Sequence, residues 1–353
     1  MRRLQVSGKA VLISFLLLVL AASVAVSGWV HLPAEKPANA EQKDFITYVE
    51  FNVPYLALEK AMEADIALHD TETPGSWIEM LALLAARYYG DFSRYRAADL
   101  EEIIEAVSAG APVEELAAGN SYYAYYREAY AAVLGGLLGE YRVEVPKEGG
   151  ETQWETRYGL KAFSPIAKDF YYEHYDDFGA QRTYGYARRH LGHDLIAPTG
   201  TPVIAIESGA VESLGWNQYG GWRIGIRSAD RKRYYYYAHL RQNRPYAEGL
   251  KEGDSVQAGD VIGYVGHTGY STKENVNNNI EVSHLHLGME LIFDESQKEC
   301  DNEIWVDLYA LTTLLAQNRS AVYRVAETKE FYRQYQTEDL AAESSGPDAQ
   351  PAQ

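Results

Sequence analysis

The stretch that decides the fold is HLHLGMEL at residues 284–291. In a β-strand, alternate residues point to the same face, so His284 and His286 are expected to project together towards one site. The stretch is one of several short β-rich runs, and glycines between them suit tight, antiparallel connections. The other runs cover residues 202–206, 209–214, 222–227, 233–239 and 261–265. We therefore predict a β-sheet domain over residues 154–335.

Five of the nine histidines fall in three short clusters within this predicted domain. The clusters are HLGHD at residues 190–194, YAHL at 237–240 and HLH at 284–286. A catalytic zinc ion takes three ligands from histidine and carboxylate side chains and leaves its fourth position for water or substrate. Such an ion polarises a scissile carbonyl and lowers the pKa of its water towards about 7, while neutral imidazoles nearby move protons. The clusters together favour a zinc-dependent hydrolase.

Each cluster alone is weak evidence. A single His-x-His pair is common. A surface salt bridge or a local hydrogen bond would also explain the pattern at residues 190–194. His193 competes as a ligand within the first cluster. Because it is at an odd spacing from His190 and adjacent to Asp194, its side chain is expected to point elsewhere in an extended segment, and it is left out of the predicted site.

As an ordered set, these motifs resemble the lysostaphin/LytM-type zinc metallopeptidases of bacterial cell walls. The resemblance covers about residues 163–291 and includes several segments besides the histidine clusters. These segments are PTGTPV at 198–203, GAV at 209–211, GDSVQAGDVIG at 253–263 and VGHTG at 265–269.

The resemblance implies specific roles for five residues. His190, Asp194 and His286 would bind Zn²⁺, and His239 and His284 would be catalytic histidines that do not bind the metal. It also implies a metalloendopeptidase that hydrolyses peptide bonds in peptidoglycan stem peptides or cross-links. Zinc-bound water would attack, and the two catalytic histidines would serve proton transfer and the oxyanion.

Three features near the predicted site bear on the shape and lining of the substrate groove. The polar residues 273–283, rich in asparagine, intervene where the family passes almost directly to the His-x-His strand. The tyrosines of residues 234–237 should alternate between faces, so one pair is expected in the core and the other in the cleft. Tyr184 is a further candidate for a donor to the oxyanion.

The region before the β domain has a helical pattern. Residues 76–79, SWIE, have the form of a capping box, and the apolar run that follows continues to Tyr89 and stops at Gly90. Further helices are predicted at 97–108 and 121–134. Tyrosines at helical spacing in the last of these favour core packing over a sugar-stacking surface.

The predicted fold class is multidomain α+β. A small all-α domain at residues 45–145 is followed by a linker at 146–153 and the mainly antiparallel β-sheet metallopeptidase domain. Residues 336–353, rich in alanine, serine, proline and acids, are expected to form a disordered tail.

The N-terminus carries a membrane-targeting pattern. A basic segment at residues 1–9 precedes an apolar run at 10–30, which would span roughly 31 Å as a helix, close to the hydrocarbon thickness of a bilayer. The pattern predicts a single-pass anchor in the cytoplasmic membrane, a spacer at 31–44 and an extracytoplasmic remainder. A cleaved signal peptide is the alternative, since residues 38–40 have the form of a cleavage site, and the protein would then be secreted.

Composition limits the partners. The formal net charge of -18 over 353 residues argues against nucleic acid, because such ligands are normally held by clustered lysine and arginine. Cys300 is the only cysteine, so an intrachain disulfide and a thiolate metal cluster are excluded. The expected partners are peptidoglycan peptide, the membrane through the N-terminal helix, and an envelope protein through the helical domain.

Two rival functions belong to other classes. A non-catalytic scaffold or regulator of wall remodelling could use the same fold, but a degenerate member should lack at least one of the five site residues. A biotin- or lipoyl-carrier-like domain is suggested by residues 253–263, yet that segment has no lysine in a suitable hairpin and leaves the histidines unexplained.

Overall fold

The computed structural model describes residues 45–183, 187–298 and 302–340. None of the helices among these residues has the length and apolar character that crossing a membrane requires. The predicted basic segment, anchor and spacer of residues 1–44 lie outside the described residues. The same holds for Tyr184, for Cys300 and for residues 341–353.

Helices dominate the first part of the described chain, as the sequence predicts. They are α1 Tyr55–Leu68, α2 Trp77–Tyr88, α3 Ala97–Ser108, α4 Val113–Leu116, α5 Tyr123–Leu134 and, late in the chain, α6 Tyr309–Leu315. The Ser76 side chain accepts a hydrogen bond from the Glu79 amide at 3.4 Å, which caps the start of α2. The predicted helix at 97–108 coincides with α3.

The rest of the described chain is mostly strand. The strands are β1 Leu138–Pro146, β2 Thr152–Leu160, β3 Glu173–His174, β4 Gln181–Arg182, β5 Arg188–Arg189, β6 His193–Ile196, β7 Pro202–Ile204, β8 Gly209–Asn217, β9 Gly221–Ser228, β10 Arg233–Ala238, β11 Ser255–Val256, β12 Val261–Tyr264, β13 His284–Leu291, β14 Ile304–Trp305, β15 Val322–Arg324, β16 Phe331–Arg333 and β17 Thr337–Asp339. All six runs predicted as strands contain one. Neighbouring named strands pair antiparallel throughout the described chain, so the predicted mainly antiparallel sheet is confirmed.

The main sheet has eight strands, in the order β11-β8-β9-β10-β13-β6-β3, with β14 pairing the far end of β13. Its register brings the motifs together. His286 on β13 lies opposite Asp194 on β6 and opposite Ala238 on β10. The alternate residues of β13, Leu285 and Leu287, are fully buried on the other face. One face of the sheet therefore carries the polar motifs, and the other packs in the core.

The helical region and the sheet share one hydrophobic core, and the residues from Phe45 onward form one compact unit. Arg233 of β10 shows how close the contact is. Its guanidinium is fully buried, donates two hydrogen bonds of 2.8 and 2.9 Å to the Glu207 carboxylate, and donates a third of 2.7 Å to the Ala132 carbonyl of α5. This buried ion pair joins the sheet to the last helix of the helical region.

Three predicted boundaries differ from the structure. The predicted all-α domain at 45–145 ends in a strand, since β1 begins at Leu138. The predicted linker at 146–153 is the turn of the β1–β2 hairpin, which the Lys147 amide closes by donating to the Glu151 carbonyl at 2.7 Å. Gly149 and Gly150 adopt positive φ there, and such a glycine pair serves a tight turn as readily as a linker. The predicted tail at 336–353 begins with β17, which pairs with β1 and places Asp339 2.7 Å from the buried Lys161 amine.

Candidate metal centre and groove

Three side chains meet on the polar face of the sheet. His190 precedes β6, Asp194 lies on β6 and His286 on β13, and one ligand atom of each lies within 4.8 Å of the others. His190 Nε2 is 2.8 Å from His286 Nδ1 and 3.1 Å from Asp194 Oδ1, and His286 Nδ1 is 3.3 Å from the same oxygen. Two imidazole nitrogens and one carboxylate oxygen form the donor set of a catalytic zinc site that leaves one position open. The residues present therefore fit a zinc ion.

The chain approaches itself very closely beside this cluster. A Cβ atom added to Gly192 would lie 2.4 Å from the Leu287 carbonyl oxygen and 2.8 Å from His286 Cε1. Any larger residue would push β13 and its histidine away from His190. The glycine of the HLGHD segment is therefore required by packing around the cluster.

Hydrogen bonds hold two of the three residues from behind. Asp177 Oδ2 is 3.2 Å from His190 Nδ1, which directs the Nε2 atom of that ring to the cluster. Arg182 donates to Asp194 Oδ2 at 2.9 Å, which leaves Oδ1 on the ligand side, and to Asp177 Oδ2 at 2.8 Å. Sequence spacing missed both Asp177 and Arg182, since Asp177 lies in the loop between β3 and β4, and β4, which holds Arg182, has only two residues and shows no period.

The charges of the cluster favour an ionised carboxylate. Burial opposes ionisation of Asp194, but hydrogen bonds to His190 and His286 outweigh it and lower the pKa of Asp194. Burial likewise opposes protonation of His190, but hydrogen bonds to Asp177 and Asp194 raise its pKa to about 9. Burial lowers the pKa of His286. Without a metal, the cluster thus holds a proton on His190, which a bound cation would replace.

His239 and His284 lie beside the cluster, and each is fixed through its Nδ1 atom by a backbone carbonyl. The Nδ1 atom of His239 lies 2.7 Å from the Thr268 carbonyl, and that of His284 lies 2.8 Å from the Val282 carbonyl. Both Nδ1 atoms must donate there, so in each neutral ring Nε2 is an acceptor. The rings are 4.7 Å apart, and His284 Nε2 is 3.7 Å from Asp194 Oδ1.

The environment of His239 sets its protonation state. Full burial lowers the pKa of His239 well below its ordinary value, so the ring is neutral at pH 7. Its backbone is left-handed, with φ of 58°. Such strain in a residue that is not glycine costs about 1–3 kcal/mol and concentrates at functional sites.

His193 lies on the other side of β6. It is fully buried, and its Nε2 is 3.0 Å from Asp307 Oδ1. It is not part of the cluster, as the strand alternation of the sequence predicts.

A cavity of about 490 Å³ opens over the cluster along the sheet. Tyr234 and Tyr236 line it, whereas Tyr235 and Tyr237 are buried on the opposite face, which confirms the predicted alternation of this run. Among the described residues, those at 273–283 do not line the cavity. Asn275 of that segment instead accepts a hydrogen bond from the Trp222 indole at 3.0 Å and another from the Asn243 amide.

Residues 188–298, which hold the cluster and most of the groove, match the family model described as Peptidase family M23. The chain contains a peptidase family M23 domain. The resemblance predicted from the sequence motifs is thereby confirmed, and so is the assignment of this domain to the metalloendopeptidases.

Individual relatives are similar over part of the chain. An L-Ala–D-Glu endopeptidase of Bacillus subtilis is 42% identical over 125 residues, which are 35% of this chain and 36% of the relative. A glycyl-glycine endopeptidase of Staphylococcus capitis is 42% identical over 84 residues, which are 24% of this chain and 22% of the relative. The chain therefore matches about a third or less of each of these two proteins.

Among solved structures, the catalytic domain of lysostaphin from Staphylococcus simulans is 31% identical to this chain. The similarity covers 40% of this chain and 92% of that domain, with a TM-score of 0.31.

Proposed function

We propose that this chain is a zinc-dependent endopeptidase that hydrolyses peptide bonds in peptidoglycan stem peptides or cross-links. The observation that supports the proposal most is the meeting of His190 Nε2, Asp194 Oδ1 and His286 Nδ1 at the floor of a groove, beside two imidazoles with free acceptor atoms. A structural metal site would instead be closed by a fourth protein ligand.

When bound, the zinc ion supplies a Lewis acid for the scissile carbonyl. His190, Asp194 and His286 would hold it, and Asp177 and Arg182 would fix the orientation of two of these ligands.

His239 and His284 are proposed to move protons. Because Nδ1 of each ring is engaged by a carbonyl, the atom through which each ring exchanges a proton is Nε2. One ring accepts a proton from the attacking water, and the protonated form donates to the developing oxyanion or the leaving amine. The 4.7 Å between the rings allows both to reach one peptide bond.

Peptidoglycan as substrate is supported by the resemblance of the sequence motifs to cell-wall metallopeptidases, and an extracytoplasmic site of action by the N-terminal sequence. One relative is named for an L-Ala–D-Glu bond and another for a glycyl-glycine bond, so these two names already point to two different kinds of peptide. Anchoring in the cytoplasmic membrane and an envelope partner stay predictions.

Metal removal tests the proposal. Dialysis of the full chain against a chelator should abolish the release of peptides from purified peptidoglycan, and one equivalent of zinc should restore it. Mass spectrometry of the released fragments would identify the bond. A protein that binds no zinc, and releases no fragments with zinc added, would refute the proposed function. A His267→Ala variant is a suitable control, because His267 lies outside the cluster and outside the lining of the cavity.

A further inference from the structure

Arg223 of β9 lines the same cavity as His190, His239 and His286. Its Nη1 donates to the Ser213 hydroxyl at 2.5 Å. Its Nε is buried and has no hydrogen-bond partner. Within the described part of the chain, no carboxylate lies at ion-pair distance from this guanidinium. Arg223 therefore brings a positive charge to the groove that no carboxylate of the described chain neutralises directly.

Other arginines of the same sheet show that this lack of a carboxylate is unusual. Arg227 is four residues further along β9 and lies on the same face. Its guanidinium is paired with Glu212 at 2.8 Å and with Glu295 at 3.0 Å. Arg233 is bound by Glu207 and Asp230. The chain has 50 acidic residues against 32 basic ones, so carboxylates are abundant. A buried donor without a partner costs about 1–3 kcal/mol.

The strand register fixes the distance from Arg223 to the metal cluster. Ile224 pairs with Tyr237, so the same register places Arg223 beside Ala238, which in turn pairs with His286. Two strand spacings separate the Cα atoms of Arg223 and His286, a distance of about 10 Å. An extended peptide covers this distance with about three residues.

The acidic end of the cavity lies elsewhere. Glu290 is four residues from His286 along β13, about 13 Å away. Glu212, beyond it, is held by Arg227 and by Lys298. A ligand bound between His286 and Arg223 therefore meets the cationic part of the groove.

We propose that Arg223 forms a carboxylate subsite, and that the peptide substrate carries a free carboxylate within about three residues of the scissile bond. A guanidinium suits this ligand because its planar fork matches the geometry of a carboxylate. This inference rests on the proposed function, because it assumes that the chain cleaves a peptide bond at the metal cluster. It distinguishes an acidic stem peptide from a glycine peptide as the substrate. An acidic stem peptide satisfies Arg223, whereas an oligoglycine chain leaves it without a partner.

The test uses the full chain loaded with zinc and two peptides that differ in one group. Both contain an L-Ala–D-Glu unit, and in one of them the free carboxylate of the D-Glu residue is replaced by a carboxamide. Isothermal titration calorimetry of a metal-loaded His284→Ala background, in which turnover is expected to be about 100-fold slower or more, measures affinity with little cleavage. The carboxylate peptide should bind about 10- to 100-fold more tightly, as expected for a hydrogen bond to a charged group.

The Arg223→Gln substitution should lower the affinity for the carboxylate peptide only, so that the ratio of the two affinities falls to about one. Arg223→Lys should keep part of the preference. Arg189→Gln, at another arginine that lines the cavity, should keep the full preference. Equal affinities for the two peptides, or a preference that survives Arg223→Gln in a variant with unchanged melting temperature and zinc content, would overturn the subsite.

This experiment distinguishes failure of the carboxylate subsite from failure of the proposed endopeptidase activity. If an Arg223-dependent preference is found but the active chain cuts neither peptide nor peptidoglycan, the subsite stands and the proposed endopeptidase activity falls. If the active chain cuts peptidoglycan but cuts both peptides with equal kcat/KM, the activity stands and the subsite falls.

Discussion

The two faces of strands β10 and β13 have the same backbone and opposite tasks. On one face, Leu285, Leu287 and Tyr237 are fully buried in the core shared with the helical region. On the other, His284 and His286 approach Asp194 at the floor of the groove. The period of two residues in a strand lets packing on the first face hold the metal ligands of the second in place. Rigidity of the site therefore comes from the core immediately beneath it.

Removal of the helical region should have the largest effect on folding, because the sheet packs its buried face against that region. A fragment of residues 152–335 lacks β1 and β17 and exposes the core beneath the sheet, where Arg233 would lose Ala132. We expect this fragment to lack a cooperative thermal transition in circular dichroism, whereas residues 45–353 should show one. A cooperative fragment that keeps full zinc binding would show that the two regions are independent.

A substitution on the core face should affect stability more than chemistry. Leu285→Ala removes a fully buried side chain between the two site histidines, and we expect the free energy of unfolding in urea to fall by about 2–5 kcal/mol. Zinc stoichiometry should stay at one per chain wherever the variant is folded. Val282→Ala is the matched control, since 54% of Val282 is exposed. An equal loss of stability in both variants would contradict the packing described here.

A substitution on the groove face should affect zinc binding more than stability. Asp177→Ala removes the carboxylate behind His190, and we expect zinc affinity, measured by competition with a chromophoric chelator, to fall about 10- to 100-fold. Asp307→Ala is the matched control, because Asp307 holds the buried His193, which is not a ligand. Loss of affinity in both variants to the same degree would mean that Asp177 acts only through the fold.

The smallest expected effect lies far from the groove. Ser76→Ala removes the cap of α2 and should lower the free energy of unfolding by about 1 kcal/mol without changing zinc affinity. Ser76→Asp should restore the stability, since aspartate caps equally well. A change in zinc affinity in the alanine variant would show stronger coupling between the helices and the site than their contacts suggest.

Local patterns predicted much of the structure. Strand alternation and turn glycines located β13 and the two faces of residues 234–237, and the capping sequence located α2. The same alternation set His193 apart from Asp194. These features depend on neighbours within a few residues, which a sequence displays directly.

Long-range features were not predictable in the same way. Asp177 lies in a loop and Arg182 on the two-residue strand β4, which is too short to show a period. Arg233 joins two regions a hundred residues apart in the chain. β17 is recognisable only from its pairing with β1, since its composition matches that of a polar tail. Arg223 drew no attention in the sequence because its lack of a carboxylate partner is a property of the folded groove.

The central claim is that three residues hold zinc while two others move protons. The direct test is to measure zinc content and peptidoglycan cleavage together in the wild type and in three single variants. The wild type should bind one zinc ion and be active, and His286→Ala should lose both. His239→Ala and His284→Ala should each keep about one zinc ion yet lose activity by about 100-fold or more, the contribution of a proton-transfer group. Loss of zinc in all three variants, or full activity in either of the last two, would contradict the account.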